Sequence, residues 1–356
     1  MCVNLNTFGV RVQADAETKV ASLITTVRTA LKHTISYRKA WLAKTRAVEV
    51  IFGNWDEAYT KLPRYMTALQ TFNPGTVVDW NVLPATTSDE VVFNYVFWAF
   101  KPAIDGFAHC PPVIGIDGTF LNGKYNGKML VATAPTGDEH ILPLAFAIVD
   151  EENTTSWSWF IKKLRRHVVP NREGITLISD RHRGLLNAVA RYWEHPSLGV
   201  VGYHRYCLRH VRSNFNKKFS NTKLMDLVWR AGSCHQIRKF NVIMKEIETL
   251  KPEALTWLQE MAPEKWTLAH DGGCRWGILT TNLAEGFNSV LRGARNVPIT
   301  ACVQTTFHRL VKYFDERRIE CIKNRAAGVK YGQKVQKQIE KYQCKGNTHI
   351  LRAFNR

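Results

Sequence analysis

Residues 113–149 read VIGIDGTFLNGKYNGKMLVATAPTGDEHILPLAFAIV. Three short apolar runs, Val113–Phe120, Met129–Ala134 and Leu142–Val149, are separated by Gly, Asn and Asp, the residues of tight turns. They predict three consecutive strands in an antiparallel meander. The period then changes. Trp157, Phe160, Ile161 and Leu164 fall at i, i+3, i+4 and i+7, the single buried stripe of a helix. Ile175–Ser179 predicts a fourth strand, and a helix from Gly184 carries Leu185, Val189 and Tyr192. The order β-β-β-α-β-α specifies a mixed sheet with helices packed on it, an α/β fold rather than a sandwich or a bundle.

Outward from this centre the texture is helical. Lys19 to Leu69 reads as helix; between Ala40 and Phe52, the residues Trp41, Ala43, Val48, Ile51 and Phe52 recur at mixed three- and four-residue spacing among Lys and Arg. Asn73-Pro74-Gly75-Thr76 is a turn signal that closes this block. His210 to about Pro263 carries helical stripes and no strand alternation, and a last helical stretch runs from Asn282 into the tail. Three regions follow: 1–80, an N-terminal helical block and candidate DNA-binding region; 110–315, the α/β core with a helical insertion at about 205–275; and 316–356, a basic tail. No internal repeat or low-complexity tract interrupts them.

The chain has 356 residues, 45% hydrophobic and 11% aromatic, enough for a substantial core and against global disorder. Lys and Arg number 49 against 30 Asp and Glu, a formal charge of +19 that points to a polyanion, most simply nucleic acid. Residues 309–356 hold thirteen Lys/Arg against four Asp/Glu, nearly half of the surplus, which favours a phosphate-contacting or flexible basic tail. No run approaches the ~18–20 apolar residues of a membrane span, and the N-terminus lacks the build of a secretory signal. The eight cysteines are scattered without a CxxC pair, suiting a reducing compartment. Cytosol or nucleus is the expected location, and the basic balance tilts it to the nucleus.

Two strand-borne aspartates and one helix-borne glutamate carry the chemistry. Asp117 sits within the first strand between glycines, and a carboxylate there is costly to bury unless it is paired or holds a metal. Asp180 closes the fourth strand; if those strands are neighbours, both carboxylates reach one region of the sheet, a minimal Mg²⁺ site. The plainer reading of each is a turn or helix-capping aspartate. Glu285, three residues after Asn282, has a capping-box reading too. By helical period it points away from the apolar stripe Leu283, Phe287 and Val290. Together the three form the layout of an RNase H-like two-metal site, in which two ions activate a nucleophile and stabilise the leaving oxygen at a phosphodiester. Arg181, His182 and Arg183 follow Asp180 directly and are candidates to meet a DNA backbone, an ordinary solvated turn being the alternative. Asp150-Glu151-Glu152-Asn153 lies between a strand and a helix and reads as a capping loop.

Several ordered blocks resemble the plant Mutator-like (MULE) transposases of the DDE superfamily: GIDGTFLNGKYNGKMLVATA (115–134), LPLAFAIVDEEN (142–153), SWSWFIKKL (156–164), ISDRHRGLLNAV (178–189), HRYCLRHVRSNF (204–215) and TTNLAEGFNSVLRGARNVPI (280–299). Upstream, residues 35–69 resemble the helical segment that precedes the core in that family, so the similarity spans roughly residues 30–315. The resemblance implies that Asp117, Asp180 and Glu285 are the DDE acids holding two Mg²⁺ or Mn²⁺ ions. It also implies DNA cleavage and strand transfer at terminal inverted repeats by a homo-oligomer on paired DNA ends.

Cys207 and His210 match the family's C-x-x-H element, whose spacing suits two ligands of one zinc ion. Cys234, His235, His270 and Cys274 are the candidates to complete it, and a buried cysteine beside a hydrogen-bonded histidine is the alternative. Family members usually carry a zinc-finger region before the helical block and a SWIM-type finger after the core. Neither pattern occurs here, since Cys302, Cys321 and Cys344 are too far apart for C-x-C. A truncated element product, or a piece of a longer chain, is therefore the expectation. A domesticated, non-catalytic DNA-binding regulator and a nuclease without strand transfer are the competing functions.

Overall fold

A computed structural model describes residues 18–85, 91–170, 172–199 and 202–350. Three helices come first: α1 (Val20–Leu31), α2 (Tyr37–Phe52) and α3 (Trp55–Phe72). Ser36 caps α2 by accepting the Lys39 amide, and Asn54 caps α3 through the Asp56 and Glu57 amides. Strands β1 (Val77–Pro84) and β2 (Val91–Ala99), helix α4 (Lys101–Phe107) and strands β3 (Val113–Asn122), β4 (Asn126–Pro135) and β5 (Ile141–Val149) follow. Next are α5 (Thr154–His167), β6 (Thr176–Ser179), α6 (Arg183–Tyr192) and β7 (Tyr203–Tyr206). Five short helices make the insertion: α7 (Leu208–Phe219), α8 (Thr222–Ser233), α9 (Ile237–Leu250), α10 (Pro252–Gln259) and α11 (Pro263–Trp266). Helices α12 (Asn282–Val290), α13 (Ile299–Ala326) and α14 (Gln333–Gly346) complete the chain.

The seven strands form one mixed sheet in the order β1-β2-β5-β4-β3-β6-β7. The meander β3-β4-β5 is antiparallel, and β6 and β7 add to its other side in parallel with β3. This is the RNase H-like arrangement. The sequence reading did not contain β1, β2 or β7. The first two extend the sheet past β5 as an antiparallel pair, with Trp98 opposite Phe146.

Side-chain alternation assigns the two faces. One row runs Asp117–Val131–Phe146–Trp98 across β3, β4, β5 and β2. On that face Phe146 meets Phe287 of α12 at 5.7 Å between ring centroids, and the Trp98 indole N–H donates to Thr306 of α13 at 3.1 Å. The neighbouring row, Gly118–Leu130–Ala147–Phe97, looks to the opposite face, where Phe97 packs on Phe160 of α5. Gly184 at the start of α6 lets that helix touch α5: a Cβ there would stand 2.7 Å from the Asn153 carbonyl carbon.

The sheet, helices α1–α6 and the buried side of α13 share one apolar core, so the N-terminal block packs into the same body as the strands. Within α2 the buried residues are Ala40, Ala47 and Val48, while Trp41 is half-exposed. The insertion has its own core, built from Leu208, Val211, Phe215, Leu227, Phe240 and Trp266 among others. Helix α13 is rooted in the main core as far as Leu310, so a core–tail boundary at 315/316 falls inside a continuous helix. Beyond it, α14 has no buried residue; its start is capped by Asp138 of the β4–β5 turn, which accepts the Lys334 amide at 2.7 Å.

Candidate active site

In the parallel trio β3, β6 and β7, the short β6 and β7 end level with the middle of β3. Their registers pair Gly115 with Ile178 and Ser179 with Tyr206. Continued by the same steps, Asp117, Asp180 and Cys207 fall on one row, and the Cys207 amide extends the ladder by donating to the Ser179 carbonyl at 2.7 Å. Three chemistry-bearing residues thus lie side by side, Asp117 within β3 and the other two just past the ends of β6 and β7.

Helix α12 brings the third acid. It lies on β3, β4 and β5, held by Ala284, Phe287 and Leu291, all fully buried. Asn288, one turn after Glu285, donates from Nδ2 to Asp117 Oδ2 at 2.8 Å, which ties the helix to the strand-borne aspartate. Glu285 does not close a capping box: the α12 N-cap is Thr281, without a side-chain cap. The Glu285 carboxylate turns instead to α7, where Arg209 Nη1 contacts Oε2 at 2.5 Å and His210 Nε2 lies 3.7 Å from Oε1. Asp180 accepts the His182 amide at 3.1 Å, which orients its carboxylate at the mouth of α6.

Electrostatics link the three acids. Burial raises the Asp117 carboxyl from 3.8 to about 7; His210 opposes the rise, and the negative charges of Asp180, Glu285 and Glu152 add to it. Asp117 therefore feels both other acids. His210 is raised to about 9, first by its interaction with Cys207, then by the charges of Cys207, Glu285 and Asp180, against its own burial. The Cys207 thiol is fully buried. Burial alone would push it up, yet His210 and the Thr281 hydroxyl and amide, which donate to Sγ at 3.4 and 3.3 Å, bring it below the usual thiol value. His210 Nδ1 is buried with no partner in aligned hydrogen-bond geometry.

Among the described residues, one group of three or more potential metal ligands has its donor atoms within 4.8 Å of one another: Cys207, His210 and Glu285. Asp117 and Asp180 stand outside this tighter group, and so do Cys234, His235, His270 and Cys274, the expected completions of a zinc site. Two buried oxygens at the site lack hydrogen-bond partners, Glu285 Oε1 and Asn288 Oδ1.

The neighbouring charges divide by face. Glu152 sits over Gly118, where a Cβ would come within 2.6 Å of its carboxyl carbon, and pairs with Lys128 at 3.0 Å. It therefore lies across the sheet from the Asp117 side chain, and Asn153 beside it closes a capping box with Ser156 at the start of α5. Arg181 is held between rings, its guanidinium 5.1 Å from the Trp257 centroid and 5.8 Å from that of Tyr206. It thereby braces the insertion against the segment that follows β6 and carries Asp180. His182 and Arg183 are exposed at the N-terminus of α6.

The sequence blocks that contain Arg209, Thr281 and Asn288 suggested no role for them. Only Asn288 left a signal there, since a residue three after Glu285 shares its side of a helix.

Residues 113–214 match the family model of the MULE transposase domain. The match begins at the first residue of β3 and ends inside α7, so it includes Asp117, Asp180, Cys207 and His210 and stops short of Glu285. A comparison with curated proteins gave no match. A transposase-type function is the coarse assignment that the matched domain supports. Among the described residues no helix is long and apolar enough to cross a membrane.

Proposed function

We propose that the chain is a DDE-type DNA transposase in which Asp117, Asp180 and Glu285 hold two Mg²⁺ or Mn²⁺ ions and direct cleavage and strand transfer at terminal inverted repeats. The observation that carries this reading is the gathering of three acids from β3, the end of β6 and α12, close enough that Asp180 and Glu285 both raise Asp117. The donors suit a hard cation: all are carboxylates, one acid is buried well above its ordinary pKa, and Glu285 Oε1 is buried without a hydrogen-bond partner. Such ions supply charge for an attacking and a leaving oxygen in line across a phosphodiester.

The protein's own share is orientation. Asn288 fixes one oxygen of Asp117, the His182 amide fixes one of Asp180, and Arg209 fixes one of Glu285. The second oxygen of each would be the one offered to an ion, and that of Glu285, Oε1, lies on the His210 side. Exposed His182 and Arg183, at a helix N-terminus beside Asp180, are suited to a DNA phosphate. Arg181 acts there through its neighbours, holding Trp257 of the insertion near the acids. The helical block 1–80 and the basic residues of 316–356 would add backbone contacts, in a nuclear homo-oligomer on paired ends.

The test is cleavage of inverted-repeat DNA by the purified chain in Mg²⁺ or Mn²⁺. Wild type should nick it and join the ends to target DNA, while Asp117→Asn abolishes cutting and keeps DNA affinity. Undiminished cutting by that variant removes Asp117 from the mechanism. Nicking without joined products points to a plain nuclease, and DNA binding without any nicking to a non-catalytic regulator.

A further inference from the structure

We propose that Cys207, His210 and Glu285 form a second metal site, one that takes a thiophilic divalent cation of the zinc class and, when filled, withdraws Glu285 from the carboxylate trio. The site stands on its own geometry. Its effect on cleavage rests on the transposase reading above.

Three observations carry it. The donor atoms of the three residues already lie within 4.8 Å of one another, and His210 Nε2 and Glu285 Oε1 are 3.7 Å apart. In a tetrahedral zinc site with bonds of ~2.0–2.3 Å, neighbouring donors are roughly 3.3–3.7 Å apart, so only a small contraction is needed. Next, Glu285 Oε1, the oxygen nearer His210 Nε2, is buried without a hydrogen-bond partner. A buried polar atom without such a partner is costly, and a cation bound there removes that cost. Finally, the sulfur is prepared as a ligand. Cys207 Sγ accepts hydrogen bonds from both the amide and the hydroxyl of Thr281, the outer-shell support that a metal-bound thiolate receives.

The mixed sulfur, nitrogen and oxygen donors exclude Mg²⁺, which prefers oxygen alone, and suit zinc. Three protein ligands leave a fourth coordination position, the pattern of an open zinc site. Asp117 and Asp180 lie outside this group. Glu285 is thus shared by two sites of opposite preference, a hard one with the aspartates and a soft one with the Cys–His pair. A cation in the soft site holds its carboxylate on the α7 side.

Co²⁺ is the probe, since a thiolate ligand gives it a charge-transfer absorption that Mg²⁺ cannot produce. The purified full chain should bind one Co²⁺ with that band, and Zn²⁺ should displace it. Cys207→Ser should lose the band. Glu285→Gln should keep the sulfur but weaken binding at least about tenfold, as loss of a carboxylate donor requires. Circular dichroism melts establish that both variants are folded. A band that survives Cys207→Ser, Co²⁺ affinity unchanged in Glu285→Gln, or no Co²⁺ bound by wild type overturns the proposal. In the cleavage assay, Zn²⁺ at the concentration that fills the site should inhibit Mg²⁺-dependent nicking by wild type. Nicking unaffected by saturating Zn²⁺ overturns the withdrawal of Glu285. A wild-type chain that never nicks DNA sinks the transposase reading instead, while the Co²⁺ titration still decides the site.

Discussion

Asp117→Asn should stabilise the metal-free protein, and the gain should grow with pH. The Asp117 carboxyl titrates near 7 in the folded chain against an ordinary value of 3.8, raised chiefly by burial. Between those values the folded chain holds a proton that the unfolded chain has lost. Stability therefore falls as pH rises from about 4 to about 7, and the full cost persists above that window. At ~1.36 kcal/mol per pKa unit the ceiling is roughly 4 kcal/mol. Relaxation around a side chain that is not wholly enclosed lowers the expected cost to about 1–3 kcal/mol. An amide in this position carries no charge, and its oxygen still accepts the Asn288 hydrogen bond. Urea titrations in EDTA at pH 4.5, 6, 7 and 8 should show the variant's advantage widening by about 1–3 kcal/mol across the series. Mg²⁺ at about a hundred times its Kd should then add nearly 3 kcal/mol to wild type at pH 8 and much less to the variant. A gap that stays constant or narrows as pH rises refutes the burial of a strained carboxylate here.

Phe287→Ala removes the fully buried ring that seats α12 on Phe146 and should cost about 3–5 kcal/mol. Melting temperature should drop by several degrees, and Mg²⁺ affinity should fall with it as Glu285 loses its seat; unchanged affinity would detach the helix from the site. Trp257→Ala unseats the Arg181 guanidinium, an interaction worth about 0.5–2 kcal/mol. Hydrogen exchange should quicken in α7 and α10 while β4 and β5 stay protected, and an equal rise in both would mean that the insertion is no separate unit. Deleting residues 327–356 should leave the core folded, since α14 buries nothing, and should lower the slope of log DNA affinity against log salt by ~0.9 for each phosphate that the tail neutralises. An unaltered slope would make the tail a solvated surface.

The strands that were legible in the sequence are those whose burial is apolar. β3, β4 and β5 each contain a short apolar run between turn residues, and their pairing follows from the short connections. β7 has no such mark. Its four residues are Tyr-His-Arg-Tyr, yet His204 and Arg205 are buried. They are tolerated because Ser179 Oγ lies 2.8 Å from the His204 ring and Arg205 donates to the His204 and Asp271 carbonyls. Those partners lie up to 66 residues away, and no local pattern announces them. β1 and β2 carry strand-type residues, but their place at the far side of β5 depends on a pairing across some fifty residues.

The same distinction governs the site. Asp117 and Asp180 are visible because a charge at a strand's centre or end has few explanations, and the parallel register of β3 and β6 does the rest. Glu285 rested on family resemblance, because a helix-borne acid looks alike whether it faces an active site or water. Its neighbours decide that, and each comes from far along the chain: Arg209 and His210 from α7, Asn288 through Asp117, 171 residues upstream. The C-x-x-H pair shows the cost most plainly. Its spacing suits two ligands of one ion, and the expected completions were cysteines and histidines. The fold supplies a carboxylate, because α12 must lie on Phe146 to bury Phe287, and that seat brings Glu285 past the first turn of α7. If the apolar packing under α12 fixes both the acid trio and the sulfur-containing group, a change that shifts the helix must weaken Mg²⁺ and Co²⁺ binding together. Cys207→Ser must separate them, which makes that pair of titrations the sharpest measure of whether one glutamate serves both.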